Sequence, residues 1–261
     1  MKILFFGDVV GASGRRGLEQ YVPVLKNKYE PDLIICNGEN SAHGKGITKK
    51  IYRQFKQLGI DVITLGNHAF SKRDILDYMD EIEDLVRPKN LIPLEAGKSC
   101  LIKEVNQKRV AVISIMGESF MDNVTSSPVD ALQEILEEID AEIIFVDMHA
   151  EATAEKRMVF EYFHKSITAL IGTHTHIQTA DEMVKEGAAF MSDVGMCGAY
   201  DSILGRDIDE VINRSVYHEA TRFVPSLTPA MICACLIEID DESNRAIRIE
   251  RIQIRPEEEN A

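Results

Sequence analysis

Short apolar runs alternate with amphipathic segments along most of this chain. The apolar runs are rich in β-branched residues and are typical of strands buried on both faces. They are KILFFGD, DLIICNGEN, DVITLGNH, VAVISIMGE, EIIFVDMHA and SITALIGTHTH. Between them, apolar residues recur at i, i+3 and i+4, which predicts helices with one face turned to a core. The predicted helices are GLEQYVPVLKNKY, TKKIYRQFKQLG, SKRDILDYMDEIEDL, PVDALQEILEEID and AEKRMVFEYFHK.

The last third of the chain has a different pattern. The stretches AAFMSDVG, AMICACLIEID and AIRIERIQI predict antiparallel strands, the last two joined by the turn-like DESN. The sequence contains no linker, repeat or low-complexity tract, so we predict a single α/β domain over residues 1–261. We expect the acidic end PEEENA to be frayed.

Polar residues that can bind metal ions follow these apolar runs closely. The carboxyl ends of the strands in an α/β sheet are where ligands collect, because the loops there converge. Five predicted strand ends supply Asp8, Glu39, Asn40, Asn67, His68, His149, His174 and His176. Carboxylate, amide and imidazole groups without thiolates favour Mn, Fe or Zn. The pattern therefore predicts a metal site at one edge of the fold.

Taken singly, these residues also have ordinary structural interpretations. An Asp after a first strand commonly caps the next helix, which applies to Asp8. His149 alone could be a hydrogen-bonded core histidine, and NGEN and GNH look like turns. In an extended strand end, residues i and i+2 point the same way, so we expect His174 and His176 to face one site and Thr175 to face away. The coincidence of so many such residues favours a site.

Other candidates are weaker. We interpret His164 in EYFHKS and His218 in SVYHEA as mid-helix residues with a structural or exposed role, and the role of His43 stays open. The glycine-containing loops also carry basic residues that are candidate phosphate contacts, although solvated surface charge is the preferred interpretation of each. They are Arg15, Arg16, Lys45 and Arg206.

Charge and composition narrow the choice of partners. The chain has 43 acidic and 29 basic residues, a formal charge of -14, and no basic block, so a long nucleic acid is not expected to bind. A small anionic substrate remains compatible, because bound cations reverse the local field. The apolar N-terminus is too short for a signal peptide or membrane span, and the five scattered cysteines fit a reducing compartment. We expect a cytoplasmic protein without a membrane partner; whether it forms a homo-oligomer stays open.

Several separated motifs resemble the calcineurin-like metallophosphoesterase superfamily. They are GD at 7–8, NGEN at 37–40, GNH at 66–68, His149 in DMHAEAT and GTHTH at 172–176. Within this superfamily, five longer stretches are similar to the YmdB-like phosphodiesterases. They are GDVVGASGR, NGENSAHGKGIT, HAEATAEK, GTHTHIQTADE and DVGMCGAYDS. This resemblance implies a four-layer αββα sandwich with a two-metal centre, and hydrolysis of 2',3'-cyclic or 3',5'-cyclic AMP.

The resemblance also implies a ligand set. It gives Asp8, Asn40 and His176 to one ion and Asn67, His149 and His174 to the other. Glu39 bridges them, because a carboxylate has two oxygens to share. The superfamily's DxH histidine is replaced here by Val10, and Asn40 is the natural substitute. The expected cofactors are two divalent ions, Fe or Mn in first place and Zn as an alternative.

A mechanism follows from the charges. Two divalent ions, two carboxylates and a bridging hydroxide carry a net +1, which a phosphodiester monoanion neutralises, and the hydroxide attacks phosphorus in line. His68 lies next to a ligand and is placed to protonate the departing ribose oxygen. In the loop IMGESFMDNVTSSP, Glu118 stands where similar proteins tend to have a basic residue, so the substrate preference stays open.

Three alternative functions remain. The first is a nucleotide-binding protein that uses GDVVGASGRRG as a phosphate-binding loop. This interpretation is weak, because the stretch matches neither GxGxxG nor a P-loop. A regulatory protein that keeps the metal centre and acts through a partner would have no sequence signature. A broad phosphoesterase or short-RNA nuclease would use the same centre.

Overall fold

The helices and strands follow the predicted alternation closely. The structure is a computed structural model that describes residues 1–256. Its strands are β1 (Lys2–Phe6), β2 (Asp8–Val9), β3 (Leu33–Asn37), β4 (Val62–Thr64), β5 (Leu85–Val86), β6 (Cys100–Val105), β7 (Lys108–Met116), β8 (Ile143–His149), β9 (Ala169–Thr173), β10 (Met183–Lys185), β11 (Ala188–Met191), β12 (Met196–Ala199), β13 (Ala230–Ile239) and β14 (Ala246–Ile254). Its helices are α1 (Gly11–Tyr29), α2 (Lys49–Gln57), α3 (Pro128–Glu138), α4 (Thr153–Phe163) and α5 (Ile208–Ser215). Apart from Pro256, the acidic end PEEENA lies outside the described residues.

The strands form two sheets. The first has eight strands, in the order β2, β12, β13, β1, β3, β4 and β5, with β14 paired to β13. The second has six, in the order β10, β11, β9, β8, β7 and β6. Strands β1, β3, β4 and β5 are parallel, and so are β7, β8, β9 and β11. Since parallel strands end at the same edge, the loops after them gather at one edge of each sheet.

Three apolar clusters separate four layers. Between the sheets, Ile3 and Phe5 of β1 pack with Phe145 of β8, and the two phenylalanine rings meet edge to face with centroids 5.0 Å apart. The alternate residues Leu4 and Phe6 lie in a second cluster with α1 and α2. A third cluster joins the second sheet to α3 and α4. Helices therefore cover the outer faces of both sheets, and the predicted αββα sandwich is confirmed.

The helix predicted for SKRDILDYMDEIEDL does not form. This segment contains two short 3-10 turns, Arg73–Asp77 and Met79–Glu81. Its hydrogen bonds span three residues, as in the bond from the amide of Tyr78 to the carbonyl of Ile75. Positions i and i+3 share a face in both kinds of helix, so apolar spacing cannot distinguish them. The prediction was wrong for that reason.

The last third of the chain is partly as predicted. Strands β13 and β14 form the expected antiparallel pair, but β11 is antiparallel only to β10 and is parallel to β9. The two histidines predicted to lie within helices do not. His164 is the buried C-cap of α4, and the exposed His218 follows the end of α5.

None of the helices in the described chain has the length and apolar character that crossing a bilayer requires.

Candidate metal centre

The eight predicted site residues come together where the edges of the two sheets meet. The first sheet supplies Asp8 in β2, the pair after β3 and the pair after β4. The second supplies the last residue of β8 and the two histidines after β9. All eight carry polar groups, yet Asp8, Glu39, Asn40 and His149 are at most 4% exposed. The other four are half-buried: Asn67, His68, His174 and His176. Buried polar groups in such numbers require partners.

One group of atoms surrounds Nε2 of His149. Oδ1 of Asn67 lies 2.8 Å from it, Nδ1 of His174 lies 3.0 Å from it, and Oε1 of Glu39 lies 3.3 Å from it. Ligand atoms of Glu39, His149 and His174 all lie within 4.8 Å of one another. Carboxylate and imidazole at this spacing form a donor set that suits Mn, Fe or Zn.

A second group lies around Asp8. Nε2 of His176 is 3.4 Å from Oδ1 of Asn40. Oδ2 of Asp8 accepts a hydrogen bond from the amide of His174 at 3.1 Å, but its Oδ1 is buried and has no hydrogen-bond partner among the described residues. A buried carboxylate oxygen without a partner is costly, and a cation would remove that cost. The residues therefore fit divalent ions.

Asp8 is not a helix cap. The N-cap of α1 is Val10, and the helix has no side-chain cap. The structural alternative for Asp8 is thus wrong, which leaves its unpartnered oxygen without a role in the fold.

A buried chain of hydrogen bonds fixes the tautomer of His149. The hydroxyl of Thr173 donates to Oδ1 of Asp147 at 2.7 Å, so its oxygen accepts from Nδ1 of His149 at 2.9 Å. With one proton fixed on Nδ1, Nε2 is the nitrogen directed into the cluster, and it would offer its lone pair to a cation that displaces the second proton. Asp147 is itself held by Thr64 and by Asn37.

The backbone turns sharply through the two histidines of GTHTH. Strand β9 ends at Thr173, and φ is 103° at His174 and 66° at His176, in the left-handed region. The two histidines do share one site, but the reason given for it, alternation along an extended strand, was wrong. The backbone amide of Thr175 donates a hydrogen bond to Asp193. Both histidines line the same cavity, and Thr175, which was predicted to face away, lines it as well.

A buried ion pair supports this turn. Lys156 of α4 is fully buried and donates to the carbonyl of Thr173 at 2.8 Å and to Asp193 at 2.9 Å. Asp193 in turn accepts from the amides of Thr175 and Gly195. The strained turn is therefore held from behind by one lysine and one aspartate.

Burial and mutual charge shift the pKa values in the cluster. Burial raises the pKa of Asp8 to about 6. Burial would also raise that of Glu39, but the charges of His149 and His68 and their hydrogen bonds to the carboxylate together outweigh burial and lower the pKa to about 2. Burial would lower the pKa of His149, but Glu39, Asp8 and Asp147 together outweigh burial and raise this pKa to about 9. Burial, with the charge of His149, lowers the pKa of His174 to about 3. The groups compete for protons that bound cations would displace.

His68 lies beside the cluster. Its amide donates to Oε2 of Glu39 at 2.9 Å, and its Nδ1 is 3.4 Å from the hydroxyl of Ser71. Burial is the main cause that lowers the pKa of its imidazole, which makes the protonated ring a stronger acid. Its side chain faces the same cavity as the ligands.

That cavity has a volume of about 280 Å³. Its mouth is lined by Lys45, Leu204, Arg206 and Phe223. Both cations lie over the ring of Phe223, at 5.5 Å for Lys45 and 4.9 Å for Arg206. Two of the four basic candidates thus reach the site.

The remaining candidates lie elsewhere. Arg15 and Arg16 donate to the carbonyls of Ser41 and Leu227, and His43 is exposed outside the cavity. A larger cavity of about 630 Å³ lies beside Arg87, which donates to four backbone carbonyls. It contains no predicted ligand.

Sequence reasoning missed the supporting residues. Asp147 lies two positions before His149 in the same strand, so strand alternation could have placed it on the same face. Thr173 lies within the quoted GTHTH motif. Lys156 and Asp193 had weaker signals. Lys156 ends the stretch HAEATAEK, but a lysine in an amphipathic helix is ordinarily a surface residue. Asp193 follows the apolar run AAFMS, as Asp8 follows the first strand, so this position could have been added to the candidates.

The chain is similar to known proteins over nearly its whole length. A family model described as YmdB-like protein matches residues 4–252. A 2',3'-cyclic-nucleotide 2'-phosphodiesterase from Bacillus subtilis is 43% identical over 256 residues, which covers 97% of each chain. The crystal structure of a novel phosphatase from Mycoplasma pneumoniae matches with a TM-score of 0.93 and 33% identity, covering 97% of this chain and 93% of that one. A hypothetical protein from Thermus thermophilus matches with a TM-score of 0.91 and 34% identity, covering 97% of this chain and 99% of that one.

Proposed function

The chain belongs to the YmdB-like protein family, and from this premise we propose that it is a metal-dependent phosphodiesterase that hydrolyses 2',3'-cyclic nucleotides. The observation that carries the proposal is the convergence of Glu39, His149 and His174 beside the unpartnered carboxylate oxygen of Asp8. A cluster of this composition in a cavity suits a site for metal-assisted hydrolysis. We include 3',5'-cyclic AMP as a second substrate to be tested.

The proposed ligands divide into two sets that share Glu39. Asn67, His149 and His174 complete one set, supported by their contacts around Nε2 of His149. Asp8, Asn40 and His176 complete the other. When bound, two divalent ions, Fe or Mn in first place and Zn as an alternative, activate a water and neutralise the phosphodiester.

The chain's own residues supply the rest of the chemistry. Water adds to phosphorus, one bond from phosphorus to a ribose oxygen breaks, and that oxygen must take up a proton. His68 supplies this proton from its place at the cavity wall. Thr173 keeps the proton of His149 on Nδ1, away from the ligand cluster. Lys45 at the mouth attracts the anionic substrate, while the guanidinium of Arg206 is paired with Glu210.

A substrate panel tests the proposal. The metal-loaded protein is given 2',3'-cyclic AMP, 3',5'-cyclic AMP, a cyclic dinucleotide, p-nitrophenyl esters and short RNA, each with Mn²⁺ or Fe²⁺. We expect turnover of 2',3'-cyclic AMP that a chelator abolishes. The matched control is Glu39→Gln, which keeps the size of the side chain, removes its charge and should lose metal and turnover together.

Other outcomes would identify the alternatives. Equal turnover of all esters would indicate a broad phosphoesterase, and turnover of RNA alone would indicate a nuclease. A metal-loaded protein that hydrolyses none of the panel would contradict the enzymatic proposal and favour a regulatory role.

A further inference from the structure

Phe120 is an exposed aromatic residue beside the candidate metal centre. Its side chain is 92% exposed, the highest value among the large apolar residues of the described chain. Its φ of 62° lies in the left-handed region, which is unusual for a bulky side chain. Strain of this kind persists where the surrounding structure enforces it, and it is found most often at functional sites.

The surrounding structure does enforce it. The carboxylate of Glu155 accepts hydrogen bonds from the amides of Glu118 at 2.9 Å and Ser119 at 3.4 Å. Gly117 lies so close to this carboxylate that a Cβ there would overlap its Oε2. The two residues before Phe120 are therefore held against α4.

Asn90 holds the two ends of the same loop together. Its side-chain amide donates to the carbonyls of Met116 at 2.8 Å and Ser126 at 2.9 Å, and its Oδ1 accepts from the amide of Met116. Asn90 itself is buried. The loop from residue 117 to residue 125 thus presents Phe120 from a fixed base.

The ring of Phe120 lines a cavity that adjoins the metal centre. This cavity has a volume of about 310 Å³ and shares Asn67, His68 and His174 with the cavity of the ligands. Its other lining residues are Ser71, Met121, Asp122 and Asn123. Because the two cavities share three lining residues, a ligand whose phosphate lies at the cluster can extend into the cavity of Phe120.

We propose that Phe120 is the stacking platform for the base of the nucleotide, and that the polar side chains beside it contact the edge of that base. The proposal rests on the proposed function, since it assumes that a cyclic nucleotide places its phosphate at the ligand cluster. It assigns a specificity-determining residue outside the predicted ligand set.

The opposite side of the site is less suited to a base. The ring of Phe223 packs so closely against Gly44 that an added Cβ there would overlap it, and Lys45 and Arg206 already lie over the ring. Its surface is thus partly occupied by two cationic side chains, of which Arg206 is itself paired with Glu210. Phe120 offers an unoccupied ring face, and an aromatic face stacks on any base.

The test compares two substrates in two proteins. One substrate is 2',3'-cyclic AMP, and the other is methyl ribofuranoside 2',3'-cyclic phosphate, which lacks a base. Phe120→Ala should raise KM roughly fivefold to a hundredfold for the first substrate. It should leave kcat, metal content and the KM for the second substrate unchanged.

Matched variants separate stacking from folding. Phe120→Trp should restore the low KM, because it provides an aromatic face. Tyr162→Ala removes another exposed aromatic ring, 68% exposed on α4, and should change neither substrate's KM. Equal KM changes for both substrates in Phe120→Ala, or none for either, would overturn the proposal.

Binding gives a readout that does not depend on turnover. Calorimetry with metal-loaded protein compares adenosine 3'-monophosphate with ribose 3-phosphate. We expect the nucleotide to bind more tightly to the wild type and the two to bind alike in Phe120→Ala. A wild-type protein that binds the nucleotide no better than ribose 3-phosphate refutes the platform, whereas absence of turnover with a retained base preference refutes only the proposed reaction.

Discussion

The rear wall of the candidate centre and its mouth are built in opposite ways. The rear wall consists of Asp147, Lys156, Thr173 and Asp193, and all four are completely buried. The mouth consists of Lys45, Leu204, Arg206 and Phe223, with Phe120 on the adjoining cavity, and all five are half-buried or exposed. The rear wall joins polar groups to one another and to backbone. At the mouth, Arg206 is paired with Glu210, whereas Lys45 and Phe120 are exposed to a ligand.

This difference separates two tasks. Hydrogen bonds in the rear wall fix the ring of His149 and the turn that carries His174 and His176. They are shielded from water, so each lost partner leaves a buried polar group unsatisfied. Changes at the exposed Lys45 and Phe120 carry no such cost and should alter substrate choice without altering metal binding.

The largest effect should follow the loss of a proposed ligand. His149→Ala and His174→Ala each remove an imidazole from the same cluster, so we expect both variants to lose bound metal and all measurable turnover. Elemental analysis of the purified proteins is the measurement. His218→Ala is the matched control, because this histidine is exposed and lies outside the cavity. Full metal content in either site variant would refute the ligand assignment.

The rear wall can be broken without touching a proposed ligand. Lys156→Met leaves the carboxylate of Asp193 buried without its cation, which should lower the free energy of unfolding by about 3–5 kcal/mol. Urea denaturation of the metal-free protein measures this loss. The double variant Lys156→Met with Asp193→Asn should be less destabilised than the single one. A loss below about 1 kcal/mol in the single variant would show that the pair does not support the turn.

His68 lies between the two regions and tests the proposed chemistry. His68→Ala should retain metal, while kcat for 2',3'-cyclic AMP falls roughly a hundredfold or more because the leaving oxygen is no longer protonated. Bis-p-nitrophenyl phosphate releases a stable phenolate and should be affected far less. Steady-state kinetics on both substrates provide the comparison. An equal loss on both would make His68 a positioning residue, and lost metal would make it a ligand or a support for one.

A smaller effect should come from the hydroxyl behind His149. Thr173→Val keeps the shape of the side chain but removes the acceptor for Nδ1 of His149, so we expect metal affinity to fall roughly tenfold to a hundredfold. Competition with a chelating dye measures this affinity. Thr175→Val is the control, because its hydroxyl contacts only the backbone of Ile177 at 3.5 Å. Equal affinities in all three proteins would contradict the role of Thr173.

The difference between local sequence pattern and long-range contacts explains which parts of the site the sequence could predict. The site residues follow apolar runs that are unmistakable strands, so the edge where Asp8, Glu39 and His149 meet was predictable from the sequence alone. The geometry of GTHTH was not, because the left-handed turn depends on Lys156 and Asp193, which are distant in sequence.

Local ambiguity accounts for the other errors. The spacing of three between buried residues in the segment from residue 71 to residue 85 fits α and 3-10 helices alike. The loop with Phe120 has no period at all, and its conformation is set by Glu155 and Asn90 from other parts of the chain. Glu118 in this loop contributes its backbone amide to this arrangement.

The number of ions that full activity requires tests the central proposal most directly. The protein is stripped of metal with a chelator, and 2',3'-cyclic AMP hydrolysis is then followed as Mn²⁺ is added in known amounts. The ligand sets that share Glu39 predict no turnover without metal and a plateau at two ions per chain. Full activity in the presence of chelator, or a plateau at one ion, would contradict a two-metal phosphodiesterase.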